Sequence, residues 1–232
     1  MANLDFSRSK ALNNIPIRKL KIYLDSIDGS NDPADVKMYK KIAINRYAES
    51  NIPIEYWSIK MEDDFKGDTR LFQKYQEYIS DINATYVNGT SICLAGGHGL
   101  GKTMAVTCVL KKCCQKGFSC LYSTLGDIVN TVMQASGEDR YLARRELVMV
   151  DFLVIDEFDP RFMTNDNVAD LYARSLENVF RTRSQNKQPV IMCTNSPNPV
   201  ESFKGNLRES IDSLMQGYIE VFPVLGKDFR KK

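Results

Sequence analysis

Gly96, Gly101, Lys102 and Thr103 fall in the spacing G-x-x-x-x-G-K-T. That spacing suits one chemistry, the cradling of a polyphosphate. Glycines let the backbone bend round a phosphate chain and turn its N–H groups inward. A helix opening near Gly101 would add the positive end of its dipole. Lys102 has the reach for β- and γ-phosphates, and the Thr103 hydroxyl is a ligand for Mg²⁺. The expected binding run is therefore Gly96, Gly97, His98, Gly99, Leu100, Gly101, Lys102, Thr103 and Met104.

Two further clusters could complete such a site. The stretch Val150-Asp151-Phe152-Leu153-Val154-Ile155-Asp156-Glu157 sets four apolar residues before two carboxylates. Four in succession predict a central parallel strand, buried on both faces. Asp156 would then join the Mg²⁺ shell beside Thr103, and Glu157 would polarise an attacking water as general base. The run 189–195 is a second apolar stretch, ending at Thr194-Asn195. The Asn195 amide has two roles open to it. It can hold the water or the γ-phosphate, or it can cap the turn at Ser196-Pro197-Asn198-Pro199. In open α/β sheets ligands bind beyond the carboxyl ends of strands, which puts these three strand ends in series.

Elements that could position them follow from periodicity. Strands are expected at 91–94, 118–123, 152–155, 189–195 and 218–222. Between them lie helical patterns at 102–115, ended by Gly117, and at 125–133, 139–147, 165–183 and 207–215. Alternation of this kind predicts an α/β domain with a central parallel sheet flanked by helices. Upstream, 68–84 reads as one helix leading into the first core strand, and 51–57 reads as extended, with Trp57 packed on the core. Residues 1–50 are basic on balance. They predict two amphipathic helices, one from Pro16 to residue 27 and one opening at Pro33, with Asp32 as its cap, and running to Glu49. These helices either dock on the main domain or grip a partner protein. Arg140, Arg144 and Arg145 read as a solvated face, and 227–232 as a basic tail.

Composition narrows the class. The chain has 232 residues, 43% hydrophobic and 26% charged, which suits one ordinary α/β domain with a short appendage. A net charge of +2 neither demands nor excludes nucleic acid, so any DNA-binding patch must be local. The six cysteines include no C-x-x-C, and the one histidine, His98, lies inside the glycine-rich loop. They read as reduced thiols filling apolar space in a cytoplasmic protein, with no zinc site. The first ten residues lack an apolar signal core, and no window approaches a membrane span.

The ordered set of phosphate loop, acidic pair and strand-end asparagine resembles the AAA+ class of P-loop ATPases, as Walker A, Walker B and sensor 1. Finer features resemble the DnaC/DnaI helicase loaders and the related IstB transposition helpers over about residues 50–232. These are Ile52-Pro53 before an aromatic, the Phe65 segment, Val154-Ile155-Asp156-Glu157, Thr194-Asn195 and the ending Gly226-Lys227-Asp228-Phe229-Arg230. The resemblance implies an ATPase using ATP and Mg²⁺ in a homo-oligomer, with residues 51–232 as the ATPase domain. It implies that residues 1–50 grip a replicative DNA helicase, which is then placed on single-stranded DNA. It also implies an arginine acting on the neighbouring subunit's γ-phosphate, and the matching position is Arg208. Where relatives carry a further arginine, this chain has Ile211-Asp212-Ser213-Leu214. Arg181 and Arg183 are weaker finger candidates, expected to be solvated at a helix C-terminus. The alternatives are an IstB-like helper acting on duplex DNA with a transposase, or a nucleotide-gated adaptor with little hydrolysis. A small-molecule kinase would need an arginine-rich substrate lid, and none is seen.

Overall fold

Five short segments become strands in the computed structural model, which describes residues 16–134, 136–159, 166–201 and 205–229. They are β1 (Ser91–Ala95), β2 (Cys120–Thr124), β3 (Phe152–Asp156), β4 (Val190–Thr194) and β5 (Ile219–Pro223). All pair in parallel, in the order β2-β3-β4-β1-β5. Parallel strands need cover on both faces, and the side chains sort by the strand period of two. Ile92, Leu94, Phe152, Val154, Ile191 and Cys193 enter one core. Cys93, Leu153, Ile155, Val190 and Met192 enter the other.

The first core is roofed by α1 (Ile17–Asp28), α2 (Ala34–Glu49), α3 (Met61–Asp64), α4 (Thr69–Ser80), α5 (Ile82–Asn88) and α6 (Lys102–Lys116). The second is roofed by α7 (Leu125–Gln134), α8 (Gly137–Met149), α9 (Asp166–Gln185) and α10 (Gly205–Tyr218). Helix α2 is tied to the sheet domain: Ile44, Tyr47 and Ala48 join the same core as Trp57 and α6. Tyr23 packs edge-on against Trp57, with ring centroids 5.0 Å apart. All six cysteines are free and buried. Burial pushes the Cys93 thiol up to about 12.

Several expectations need correction. The stretch 68–84 is not one helix. Asp81 leaves helical geometry (φ −136°), and its carboxylate accepts from the Ala84 N–H to start α5. An aspartate inside a helix competes for backbone N–H groups, and here it wins. Asp32 does not cap α2. The capping position is Pro33, and the Asp32 carboxylate instead accepts from Lys40 Nζ at 2.6 Å and from the Ser30 hydroxyl at 3.0 Å. The 51–57 segment is not extended throughout. Asn51 is left-handed (φ 55°), and Ile54–Tyr56 forms a 3₁₀ turn.

Arg183 is not solvated. It is fully buried and donates to the carbonyls of Leu147, Val148, Val150, Asp151 and Pro189. Those carbonyls belong to the segments that lead into β3 and β4, where backbone groups turn inward and need donors. Burial brings the Arg183 guanidinium down to about 10. Expectations for residues 1–15, for 165 and for 230–232, Arg230 included, lie outside the described residues.

Candidate functional site

The β1–α6 turn is shaped by what surrounds each glycine. Gly96 N–H donates to Thr194 O at 3.2 Å, tying the loop to β4. A Cβ at Gly96 would lie 2.3 Å from Val224 O. Gly99 and Gly101 take left-handed φ values of 71° and 82°, a region that favours glycine. Helix α6 then opens at Lys102 with no side-chain cap on its first turn. Uncapped N–H groups at a helix N-terminus are a ready anion site. Leu100 is buried beside Gly96 and Gly226, while Gly97 and His98 are exposed.

Lys102 is buried, and its Nζ donates to Gly96 O (2.8 Å), Gly97 O (2.6 Å) and Asn195 Oδ1 (3.0 Å). The lysine thus bridges the ends of β1 and β4. The turn after β4 finds its caps elsewhere: Thr194 Oγ1 accepts from Ser196 N–H, and the Ser196 hydroxyl donates to Asn198 O. The Asn195 side chain faces the loop, where its Oδ1 accepts from Lys102.

At the end of β3, Asp156 is buried and its two carboxylate oxygens are separately engaged. Oδ1 accepts from the Glu157 N–H at 2.8 Å and Oδ2 from the Tyr122 hydroxyl at 2.8 Å. Burial, with the Asp156 charge adding to it, pushes the Tyr122 phenol well above its ordinary range. Glu157 is left-handed (φ 50°) and exposed. The next residue, Phe158, turns back so that its N–H donates to Cys193 O at 2.7 Å. That return presents Glu157 outward at the strand end.

These groups share one cleft of about 560 Å³, lined by Gly99, Gly101, Lys102, Thr103, Met104, Asp156, Glu157 and Asn195 among others. Tyr56, Phe65 and Phe229 add an aromatic wall, with Phe65 and Phe229 edge-to-face at 6.5 Å. Tyr56 is held by Lys111, a buried cation of α6 that donates to Tyr56 O at 2.7 Å and also to Ile59 O. The tail crosses the loop as a strap: Val224 N–H donates to Ala95 O (2.7 Å) and Phe229 N–H to Gly99 O (3.1 Å). A Thr103 hydroxyl and an Asp156 carboxylate in one cleft are hard oxygen donors, the kind Mg²⁺ takes together with phosphate oxygens.

The structure thus brings together Lys102, Thr103, Asp156, Glu157 and Asn195. Arg208 is exposed on α10 and is not among the residues lining its own chain's cleft. Sequence reasoning missed Tyr122, Tyr56 and Lys111. A tyrosine in a strand expected to be buried is the one local hint that Tyr122 has a polar partner.

A parallel 2-3-4-1-5 sheet with a phosphate loop after β1 and an acidic pair after β3 defines a P-loop NTPase fold of the AAA+ type. The sequence pattern of the IstB-like ATP binding proteins matches residues 50–200, and the chain belongs to that family. Among solved structures, DnaI superposes with a TM-score of 0.61 at 12% identity, covering 76% of this chain and 93% of that one. The DnaC helicase loader superposes with a TM-score of 0.56 at 18% identity, covering 75% and 100%. AMPPCP-bound DnaA from Aquifex aeolicus gives 0.58 at 18%, covering 77% of this chain but 53% of the DnaA chain, about half its length. A search of curated proteins returns no match. Among the described residues no helix is long and apolar enough to cross a membrane.

Proposed function

We propose that this chain is an ATP-hydrolysing helicase loader: a homo-oligomeric ATPase that places a replicative DNA helicase on single-stranded DNA. The observation that carries the ATPase reading is the convergence of Lys102, Thr103, Asp156, Glu157 and Asn195 on one cleft. Lys102 and the uncapped start of α6 would bind the phosphates, and Thr103 and Asp156 would hold Mg²⁺. That ion would neutralise phosphate charge and fix the triphosphate's geometry. Glu157, exposed at the strand end, takes the proton of an attacking water, while Asn195 orients that water or the γ-phosphate. Arg208, exposed and outside the lining of its own cleft, serves the cleft of a neighbouring copy.

The loader reading rests on the likeness to DnaI and DnaC along nearly their whole length. It also rests on the α1–α2 pair, where Ile17, Ile22, Met38 and Tyr39 are exposed among lysines. Residues 1–50 form the partner-gripping region in this proposal and 51–232 the ATPase domain. A second reading, an IstB-like transposition helper acting on duplex DNA, is favoured by the family match itself.

The test is capture with immobilised Glu157→Gln protein in ATP and Mg²⁺, offering a hexameric replicative helicase and a transposase in parallel. Retention of the helicase, with single-stranded DNA preferred to duplex, supports the loader. Retention of the transposase alone overturns it in favour of the helper. ATP turnover by Glu157→Gln equal to the parent chain would remove the proposed general base.

A further inference from the structure

Strand register brings Tyr122 to Asp156. Thr124 lies opposite Asp156 and Tyr122 opposite Val154, so Tyr122 and Asp156 are diagonal neighbours on one face of the β2–β3 pair. A diagonal of this kind is within reach of a tyrosine ring. The hydroxyl donates to Oδ2 at 2.8 Å with both side chains buried. The tyrosine is itself held at both backbone groups. Its N–H donates to Ser50 O at 2.8 Å, and its carbonyl accepts from Asn51 Nδ2 at 3.1 Å. The ring is therefore anchored from one side and spends its one proton on the carboxylate.

We propose that Tyr122 is a positioning residue: its hydroxyl fixes the Asp156 carboxylate in the orientation that, with Thr103, holds the divalent cation of the nucleotide complex. This rests on the reading of the cleft as an ATP and Mg²⁺ site. Asp156 has two torsions to settle. The Glu157 N–H holds Oδ1 and the Cys193 thiol also reaches the carboxylate, while the phenol is the strong O–H donor on Oδ2. Outer partners of a metal ligand commonly carry 10- to 100-fold of the metal affinity.

Tyr122→Phe keeps the ring and removes the proton. The measurement is the Mg²⁺ concentration at half-effect for binding of a fluorescent ATP analogue, with binding in EDTA measured alongside. Tyr86→Phe is the control. Its phenol interacts with Asp151, at the other end of β3 from the cleft, so it removes a tyrosine–aspartate contact without touching Asp156. The expected result is a Mg²⁺ midpoint raised about 10- to 100-fold in Tyr122→Phe, unchanged binding in EDTA, and an unmoved midpoint in Tyr86→Phe. An unmoved midpoint in Tyr122→Phe overturns the proposal, and so does an equal rise in both variants, which would mark a loss of fold. Nucleotide binding by the parent chain that ignores Mg²⁺ would instead overturn the reading of Thr103 and Asp156 on which the proposal stands.

Discussion

Replacing Arg183 by alanine separates two accounts of that residue. As a solvated helix-end arginine or an arginine finger, it would matter to catalysis and little to stability. The structure makes it a buried fork with five carbonyl oxygens as acceptors, from Leu147, Val148, Val150, Asp151 and Pro189. Nη1 and Nη2 have four N–H groups for these five acceptors, and hydrogen bonds to a charged group contribute about 1.5–3 kcal/mol each, so the fork amounts to roughly 6 kcal/mol at the low end. Burying a guanidinium costs several kcal/mol in return, and water entering the vacated space would satisfy some of the carbonyls. The expected net loss for Arg183→Ala is about 4 kcal/mol, a large share of the roughly 5–15 kcal/mol typical of a domain. Arg183→Lys has three donors on one nitrogen and cannot span both strand origins, so it should lose about half as much. The assay is urea unfolding followed by fluorescence of Trp57, the only tryptophan in the chain and buried in the α1–α2 core. A loss below about 1 kcal/mol in Arg183→Ala, or a loss of ATP turnover with unfolding unchanged, would refute this account.

Three other outcomes are expected. Gly99→Ala forces a side chain to within 1.7 Å of Asp228 Oδ1 at a φ of 71°; it should cost about 1–2 kcal/mol of stability and lower ATP-analogue affinity, and unchanged unfolding and titration curves would count against the described loop. Arg208→Ala should reduce turnover by about three orders of magnitude or more while sparing ATP binding, and mixing it with Lys102→Ala subunits should restore activity; no recovery argues against a finger in trans. In the native protein at pH 8, all six cysteines should resist an aromatic disulfide reagent, because burial blocks access and holds Cys93 up at about 12. Denatured chains should react at all six, and rapid labelling of a natively folded chain would contradict the described core.

Much of this architecture is written locally. The Gly96-to-Thr103 loop is a backbone motif whose requirements fall on adjacent residues. The strands β3 and β4 are unbroken apolar runs because both of their faces are covered. What escaped the sequence was fixed by distant partners. Tyr122 meets Asp156 only through strand register, and its spacing of 34 residues gives no periodic signal. Arg183 looks like any polar residue near a helix end until the carbonyls of two strand entrances close round it. Asp81 interrupts a pattern whose apolar spacing continues across it, so hydrophobic periodicity alone runs the two helices together. Lys111 is a case of the same kind: a lysine on a helix facing three carbonyls from the 56–59 turn, buried and with its ammonium pKa lowered by that burial.

The clasp of Ser50 and Asn51 on Tyr122 also bears on how the protein can be dissected. β2 is an outer strand of the sheet, and at its midpoint the hem is stitched shut by the end of α2. Cutting the chain after residue 50 would remove the Ser50 stitch and leave Asn51 to hold the hem alone. It would bare a raw strand edge of the sort that recruits foreign strands and strip Tyr47 from the flank of Trp57. A shortened chain would therefore be prone to clump, and its silence in an assay would report a frayed sheet as readily as a missing partner.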